Sequence, residues 1–228
     1  MRGKLTGIGV GPGDPKLLTI KALEAVRDSD VVAVPGEEPK DSVAYQIVEQ
    51  IYPELAGKVL LPVSMPMTKD PVKLEENHER GANAVRAFLD EGKQVVFLTL
   101  GDPSVYSTYL YIHKKVQAAG YETEIISGIT SFCAAAARLN IGLVEKAQQL
   151  HVIPASYQIE EALKLPGTKV LMKAGKKIEQ VKKVLQQQDA QVVMIENCGM
   201  PGEKVYYGAD AIPEDAGYYS LIIVKEKS

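Results

Sequence analysis

Apolar runs short enough to be single strands alternate with stretches of helical periodicity along most of this chain, and few folds satisfy such an alternation. Residues 5–10, 31–34, 59–62 and 94–98 read as strands. Between them, residues 15–28 and 42–51 read as helices, and Leu74, His78, Gly81, Val85 and Phe88 mark one face of another. A further helix is predicted over 104–117, with Val105, Tyr109, Ile112 and Val116 on one stripe. This alternation predicts a mostly parallel sheet with helices packed on it.

The series restarts after Gly120, which reads as a stop following a completed helix. Residues 123–126, 150–153, 169–172 and 192–195 read as strands, with helices over 131–139 and along Ile178, Val181 and Leu185. The last two strands, 205–207 and 218–224, have no helix between them and predict an antiparallel finish. The fold class is therefore α/β, as two α/β domains over 1–118 and 119–228. A length of 228 residues exceeds the usual single domain of about 150, which agrees.

Composition excludes several function classes. Lys+Arg 26 against Asp+Glu 29 gives a net charge of −3, which argues against a nucleic-acid partner held by bulk positive charge. No apolar run approaches the length of a membrane span, and Gly and Pro interrupt the start of the chain, so a cytoplasmic protein is expected. Cys133 and Cys198 lack CxxC spacing and read as two buried thiols rather than a disulfide. His78, His113 and His151 are scattered, so no metal site is expected. His78, on an apolar helix stripe, reads as a core histidine.

Two tripeptides stand in matching positions. Gly13-Asp14-Pro15 and Gly101-Asp102-Pro103 each follow a strand and open a helix. Taken singly, each is an efficient strand-to-helix turn, with Asp as the cap and Pro at the first helical position. As a pair they point to one ligand edge, because open α/β sheets bind at the carboxyl ends of their strands. The glycine-rich run 7–13 is not a dinucleotide loop: Pro12 interrupts the pattern and removes a donor N–H, and Asp30 precedes the second strand instead of ending it. No phosphate-loop motif is present either.

These residues resemble a known family. Gly9-Val10-Gly11-Pro12-Gly13-Asp14-Pro15 with Leu18-Thr19, then Gly101-Asp102-Pro103, then Ser127-Gly128-Ile129-Thr130-Ser131, are similar to the tetrapyrrole (corrin/porphyrin) methylases. The likeness runs from Gly7 to Val224. Three finer segments, Thr99 to Thr108, Met65 to Asp70 and Ser131 to Leu139, resemble the carbon-20 methyltransferases of that family, which act on precorrin-2 or its cobalt form, cobalt-factor II.

The resemblance implies a class III methyltransferase-like fold with S-adenosylmethionine as methyl donor in a cleft between two domains, usually within a homodimer. Carried over residue by residue, it implies that Pro12, Leu100, Gly101, Asp102, Val105, Thr130 and Ser131 bind the cofactor. On looser matches it adds Met172, Lys173, Asn197, Cys198, Ser220 and Leu221. Asp14, Met67, Lys69 and Tyr106 are the candidate substrate contacts, with Lys69 facing substrate carboxylates. No catalytic residue is assigned, since methyl transfer is governed by alignment; Asp102 and Tyr106 are the placements considered for a base.

Each residue also has a plainer reading: Thr130-Ser131 as a helix cap, 197–202 as an ordinary turn, Cys198 as a small lining residue without a base nearby. Rival functions are a uroporphyrinogen-III methyltransferase, a diphthine synthase, an rRNA ribose methylase and, from another class, a non-catalytic tetrapyrrole-binding protein. The uroporphyrinogen enzymes carry a Gly-Gly-Asp-Pro turn where this chain has Leu100-Gly101-Asp102-Pro103, and the rRNA reading calls for a basic surface.

Overall fold

The computed structural model describes residues 2–66, 68, 70–154 and 159–226, with Lys176 described by its backbone alone. The described residues form two five-stranded sheets, one in each of two compact units, Met1–Thr130 and Ser131–Ser228.

The first unit contains β1 (Lys4–Gly9), β2 (Val31–Pro35), β3 (Val59–Val63), β4 (Val95–Thr99) and β5 (Glu122–Ile126), in the order β3-β2-β4-β1-β5. Every pairing in this sheet is parallel. Side chains alternate across it. Val32, Val34, Val96 and Leu98 pack under α1 (Ile20–Asp28) and α2 (Val43–Glu49), against Val26, Tyr45 and Val48. Val31, Ala33, Val95 and Phe97 pack on the other face under α3 (Pro71–Asp90) and α4 (Tyr109–Ala118), against Val85, Leu89, Tyr109 and Ile112. Both faces are covered, which is why these strands read as continuous apolar runs.

Local chemistry sets the helix starts. The Thr19 hydroxyl accepts from Ala22 N at 3.2 Å to cap α1. Asp70 accepts from Val72 N and Lys73 N at 3.0 and 3.3 Å, with Pro71 as the first residue of α3. The helix expected over 15–28 is instead a 3-10 turn, Pro15–Leu17, followed by α1. The helix expected from residue 104 starts only at Tyr109, because Tyr106 has a left-handed backbone (φ 49°), which a right-handed helix cannot pass through.

The expected domain break at 118/119 falls inside the first unit. Gly120 does end α4, but β5 pairs with β1 and so completes the first sheet, and this unit runs to Thr130. Which sheet a strand joins is a long-range matter that the local pattern does not encode.

The second unit contains α5 (Ser131–Arg138), β6 (Leu150–Pro154), α6 (Ile159–Leu163), β7 (Thr168–Met172), α7 (Ile178–Leu185), β8 (Ala190–Glu196), β9 (Lys204–Tyr207) and β10 (Ser220–Glu226). Its order is β6-β7-β10-β8-β9. β6 and β7 run parallel, whereas β9 and β10 are antiparallel to their neighbours, the predicted finish. α6 and α7 cover one face through Ile159, Val181 and Leu185, packed with Leu171, Met194 and Ile222. α5 covers the other through Ala135, packed with Val170, Ile195, Leu221 and Ile223.

Of the two cysteines expected to be buried, Cys133 is exposed and Cys198 half-buried, and neither is in a disulfide. Cys133 sits on the outer side of α5, whose buried residues are Ala134, Ala135 and Ala136. His78 is buried and stacks on Tyr111 with ring centroids 4.4 Å apart, as a core histidine does. Burial holds its pKa below the ordinary value.

Gly7, in the middle of β1, is required by packing. A β-carbon there would fall inside the buried Tyr109 ring, whose hydroxyl lies 3.0 Å from His113 Nδ1 and 3.3 Å from the Glu124 carbonyl. Gly7→Ala is expected to destabilise the protein by about 1–3 kcal/mol through overpacking, seen as a lower denaturation midpoint. Gly57→Ala, which meets nothing within 4 Å, serves as the neutral control.

Candidate active site

Three turns of the first unit, those after β1, β4 and β5, follow neighbouring strands and come together backbone to backbone. Gly11 and Gly101 form an antiparallel bridge, with Gly101 N donating to Gly11 O at 2.8 Å and Gly11 N to Gly101 O at 3.3 Å. Both are left-handed, φ 80° and 73°, a conformation glycine adopts without a side-chain penalty. A β-carbon on Gly9 would lie 2.5 Å from both Gly101 O and Gly128 N, and one on Gly128 would lie 2.7 Å from Gly9 Cα. No other residue type fits at either point without moving backbone.

Asp102 fixes this arrangement. It is buried; its Oδ2 accepts from Gly128 N at 3.0 Å, and its Oδ1 accepts from Ser104 N at 2.7 Å and Ser104 Oγ at 2.5 Å. The carboxylate thus ties the turn after β4 to the turn after β5. Both oxygens are thus engaged by this chain's own donors.

The other candidates of this unit gather around the same turns. Pro12 is buried, and Leu100 and Val105 are half-buried, with Val105 N donating to Asp102 O at 3.2 Å. Thr130 Oγ1 is shielded from solvent and finds no hydrogen-bond partner among the described residues, so it does not cap α5. Thr99 Oγ1, at the end of β4, is in the same state, and the sequence reading did not single it out. Neither did it single out Gly128 or Ser104, although both stand inside the motifs. Asp14 accepts from Lys16 N at 2.9 Å and caps the 3-10 turn. Tyr106 is 46% exposed on its left-handed backbone, ahead of α4 instead of on it. Met67 and Lys69 lie outside the described residues.

In the second unit, Ser131 begins α5 and is half-buried. The six looser candidates converge at one end of the sheet. Met172 closes β7 opposite Leu221, and Ser220 opens β10 opposite Glu196. Met172, Cys198 and Leu221 belong to one apolar cluster on the α5 face. Lys173 and Asn197, the residues just past β7 and β8, are both left-handed, φ 59° and 51°. Asn197 N donates to Tyr219 O at 3.0 Å. Burial lowers the Lys173 pKa, and burial, with Glu203 nearby, pushes the Cys198 thiol up to about 11. Cys198 therefore stays protonated at neutral pH and is no nucleophile. Among the described residues, no three His, Cys, Asp or Glu side chains gather as metal ligands.

The sequence pattern of the Tetrapyrrole (Corrin/Porphyrin) Methylases matches residues 4–209. A "Probable cobalt-precorrin-2 C(20)-methyltransferase" from Methanocaldococcus jannaschii is 36% identical over 226 residues, covering 97% of this chain and 96% of the relative. The cobalt-precorrin-2 C(20)-methyltransferase of Salmonella typhimurium is 31% identical, covering 100% of this chain and 98% of its own. Among solved structures, a uroporphyrin-III C-methyltransferase from Thermus thermophilus complexed with S-adenyl homocysteine is similar in fold, with a TM-score of 0.71, 20% identity and 98% coverage of both chains. The two α/β sheets with their helices make a class III methyltransferase fold. The matched pattern and the near-full-length identity then fix the family: the chain belongs to the tetrapyrrole (corrin/porphyrin) methylases.

The Asp102 contacts make a specific prediction. Each of its oxygens faces a backbone N–H, so an asparagine must point its NH2 group at one of them in either orientation. Asp102→Asn is expected to cost about 1–3 kcal/mol, the penalty of an unmet buried donor, measured by denaturant titration. A variant within about 0.5 kcal/mol of the parent, the range of an ordinary surface change, would show that the carboxylate is not required as a double acceptor.

Proposed function

We propose that this protein transfers a methyl group from S-adenosylmethionine to carbon 20 of precorrin-2 or its cobalt form, in corrin (cobalamin) biosynthesis. The observation that carries this reading is the near-full-length identity to relatives that share the C(20)-methyltransferase name. The cofactor contacts inferred from the motifs, in the first unit's turns and at the second unit's sheet end, belong to the same proposal. So do the homodimer, the cytoplasmic location and the substrate contacts Asp14, Met67, Lys69 and Tyr106. No helix among the described residues is long and apolar enough to cross a membrane.

The residues fit a nucleoside sulfonium. Thr130 offers a shielded hydroxyl that has no hydrogen-bond partner among the described residues. Gly101 offers bare backbone, and nothing lies within 4 Å of where its β-carbon would be. S-adenosylmethionine supplies an electrophilic methyl group. The protein's own work is to bind, align and exclude water, and positioning of this kind contributes about 7–11 kcal/mol in the best intramolecular cases. The glycine turns suit that task because backbone hydrogen bonds join them directly, Gly101 N to Gly11 O and Gly11 N to Gly101 O. Pro12, without an N–H, presents an apolar edge beside them.

Anaerobic incubation with labelled S-adenosylmethionine and either precorrin-2 or cobalt-factor II should add one methyl group, at carbon 20, as read by mass spectrometry and carbon NMR. A ring left unlabelled in both forms, or labelled elsewhere, overturns the assignment. Gly101→Arg should remove cofactor binding while costing only the ~1–2 kcal/mol of a left-handed non-glycine residue, since its side chain has room. Calorimetric affinity for S-adenosylhomocysteine within about twofold of the parent, against the ~10-fold step of 1.4 kcal/mol, would remove Gly101 from the site.

A further inference from the structure

The second unit has a carboxylate that no motif marks. Glu196 closes β8 immediately before the left-handed Asn197. Its Oε1 accepts from Gly217 N at 2.7 Å, and its Oε2 accepts from the Tyr206 hydroxyl at 2.9 Å. Ser220 Oγ, which donates to Gly217 O at 2.6 Å, lies 3.3 Å from Oε1. One side chain therefore joins three pieces of chain: the end of β8, the partner strand β9 through Tyr206, and the lead-in to β10.

The alternation of the strands puts this tether on the far side of the sheet from the apolar candidates. Met194 and Ile222 belong to the cluster under α6 and α7, with Tyr206 packed against it, and Glu196 and Ser220 share their face by strand parity. Leu221, Met172 and Cys198 belong to the opposite cluster, under α5. Burial, then the Glu196 carboxylate, raises the Tyr206 pKa, so the phenol stays protonated and keeps donating.

We propose that Glu196 is a positioning residue: from the back of the sheet it sets the lead-in 217–220, and through it Ser220, Leu221 and the Asn197 corner, for cofactor binding. The proposal rests on the cofactor reading above. The lead-in has few other anchors among the described residues: Asn197 N holds Tyr219 O, and Ser220 Oγ holds Gly217 O within the segment itself. Without Glu196, Gly217 N loses its acceptor, and the tie from this segment to β9 is gone.

The geometry also says which substitution should be tolerated. Oε1 faces a backbone N–H, but Oε2 faces a hydroxyl that can rotate to accept instead of donate. A glutamine can therefore keep both contacts, with its oxygen toward Gly217 and its NH2 toward Tyr206.

The test is calorimetric titration of S-adenosylhomocysteine into the full-length protein, with steady-state kinetics alongside, for the parent, Glu196→Ala, Glu196→Gln and Tyr206→Phe. Glu196→Ala should raise Kd and the KM for S-adenosylmethionine about tenfold, as loss of a charged hydrogen-bond anchor does, with kcat within about twofold. Glu196→Gln should recover to within about threefold of the parent, and Tyr206→Phe should fall between the parent and the alanine variant. If the alanine variant does not fold, the last two carry the test: equal, parent-like binding by Tyr206→Phe overturns the tether to β9. A Glu196→Ala protein that melts lower but binds as the parent does makes Glu196 structural only and overturns the proposal. Glutamine as poor as alanine overturns it too, since the charge itself would then be what acts. A parent protein that does not bind S-adenosylhomocysteine overturns the cofactor reading, and this inference with it.

Discussion

The close approach of Gly9, Gly101 and Gly128 is the constraint on which the first unit's ligand end depends. A β-carbon on Gly9 or on Gly128 would fall on the backbone of a neighbouring turn, so at those two points the turns meet as bare backbone. Such a meeting concentrates N–H and C=O groups that the sheet no longer pairs, and each must find a partner. Gly11 and Gly101 satisfy part of that need by bonding each other, and Asp102 satisfies more. A buried carboxylate is costly unless it is well bonded, and here two N–H groups and a hydroxyl converge on it. Carboxylate and turns are thus mutually dependent: the donors make burial of the charge tolerable, and the charge holds the donors in place.

Much of this was legible because glycine, proline and aspartate act locally. Gly120 marks the end of α4, and the apolar runs mark a mostly parallel sheet with helices packed on it. The same local signals misled at three places. Asp14-Pro15 opens only a 3-10 turn ahead of α1. Asp102-Pro103 looks like the start of a helix, yet its carboxylate is drawn to Gly128, and Tyr106 turns left-handed before the helix can begin. Gly120 looks like a domain end because it stops α4, but the next strand is held by β1, more than a hundred residues earlier in the chain. Strand partnership is decided by what a folded sheet leaves unpaired, which no short window of sequence contains.

The contacts at the second unit's sheet end were harder to read for the same reason. Glu196 lies at a strand terminus, where an acidic residue is ordinarily a solvated one, and its partners stand at Tyr206 and Gly217. Nothing in the spacing of those residues distinguishes a tether from a surface charge. Met172, Asn197 and Leu221 entered the proposed contact set through a family likeness, on its looser matches. A residue that supports them from the other face carries no motif of its own.

The two units reach rigidity at their strand ends by different means. The first uses glycines, for which a left-handed backbone is free of side-chain cost, and locks them with a buried aspartate. The second places Lys173 and Asn197 in that conformation, at a cost of about 1–3 kcal/mol for a non-glycine residue, somewhat less for asparagine. Such strain persists only where surrounding bonds over-determine the chain, as Asn197 N to Tyr219 O and the Glu196 contacts do beside Asn197. A reaction whose barrier depends on the line joining donor, methyl group and acceptor gains more from corners that cannot relax than from any acid or base. That is why this chain can lack a recognisable proton-transfer constellation among its motifs and still be organised around chemistry.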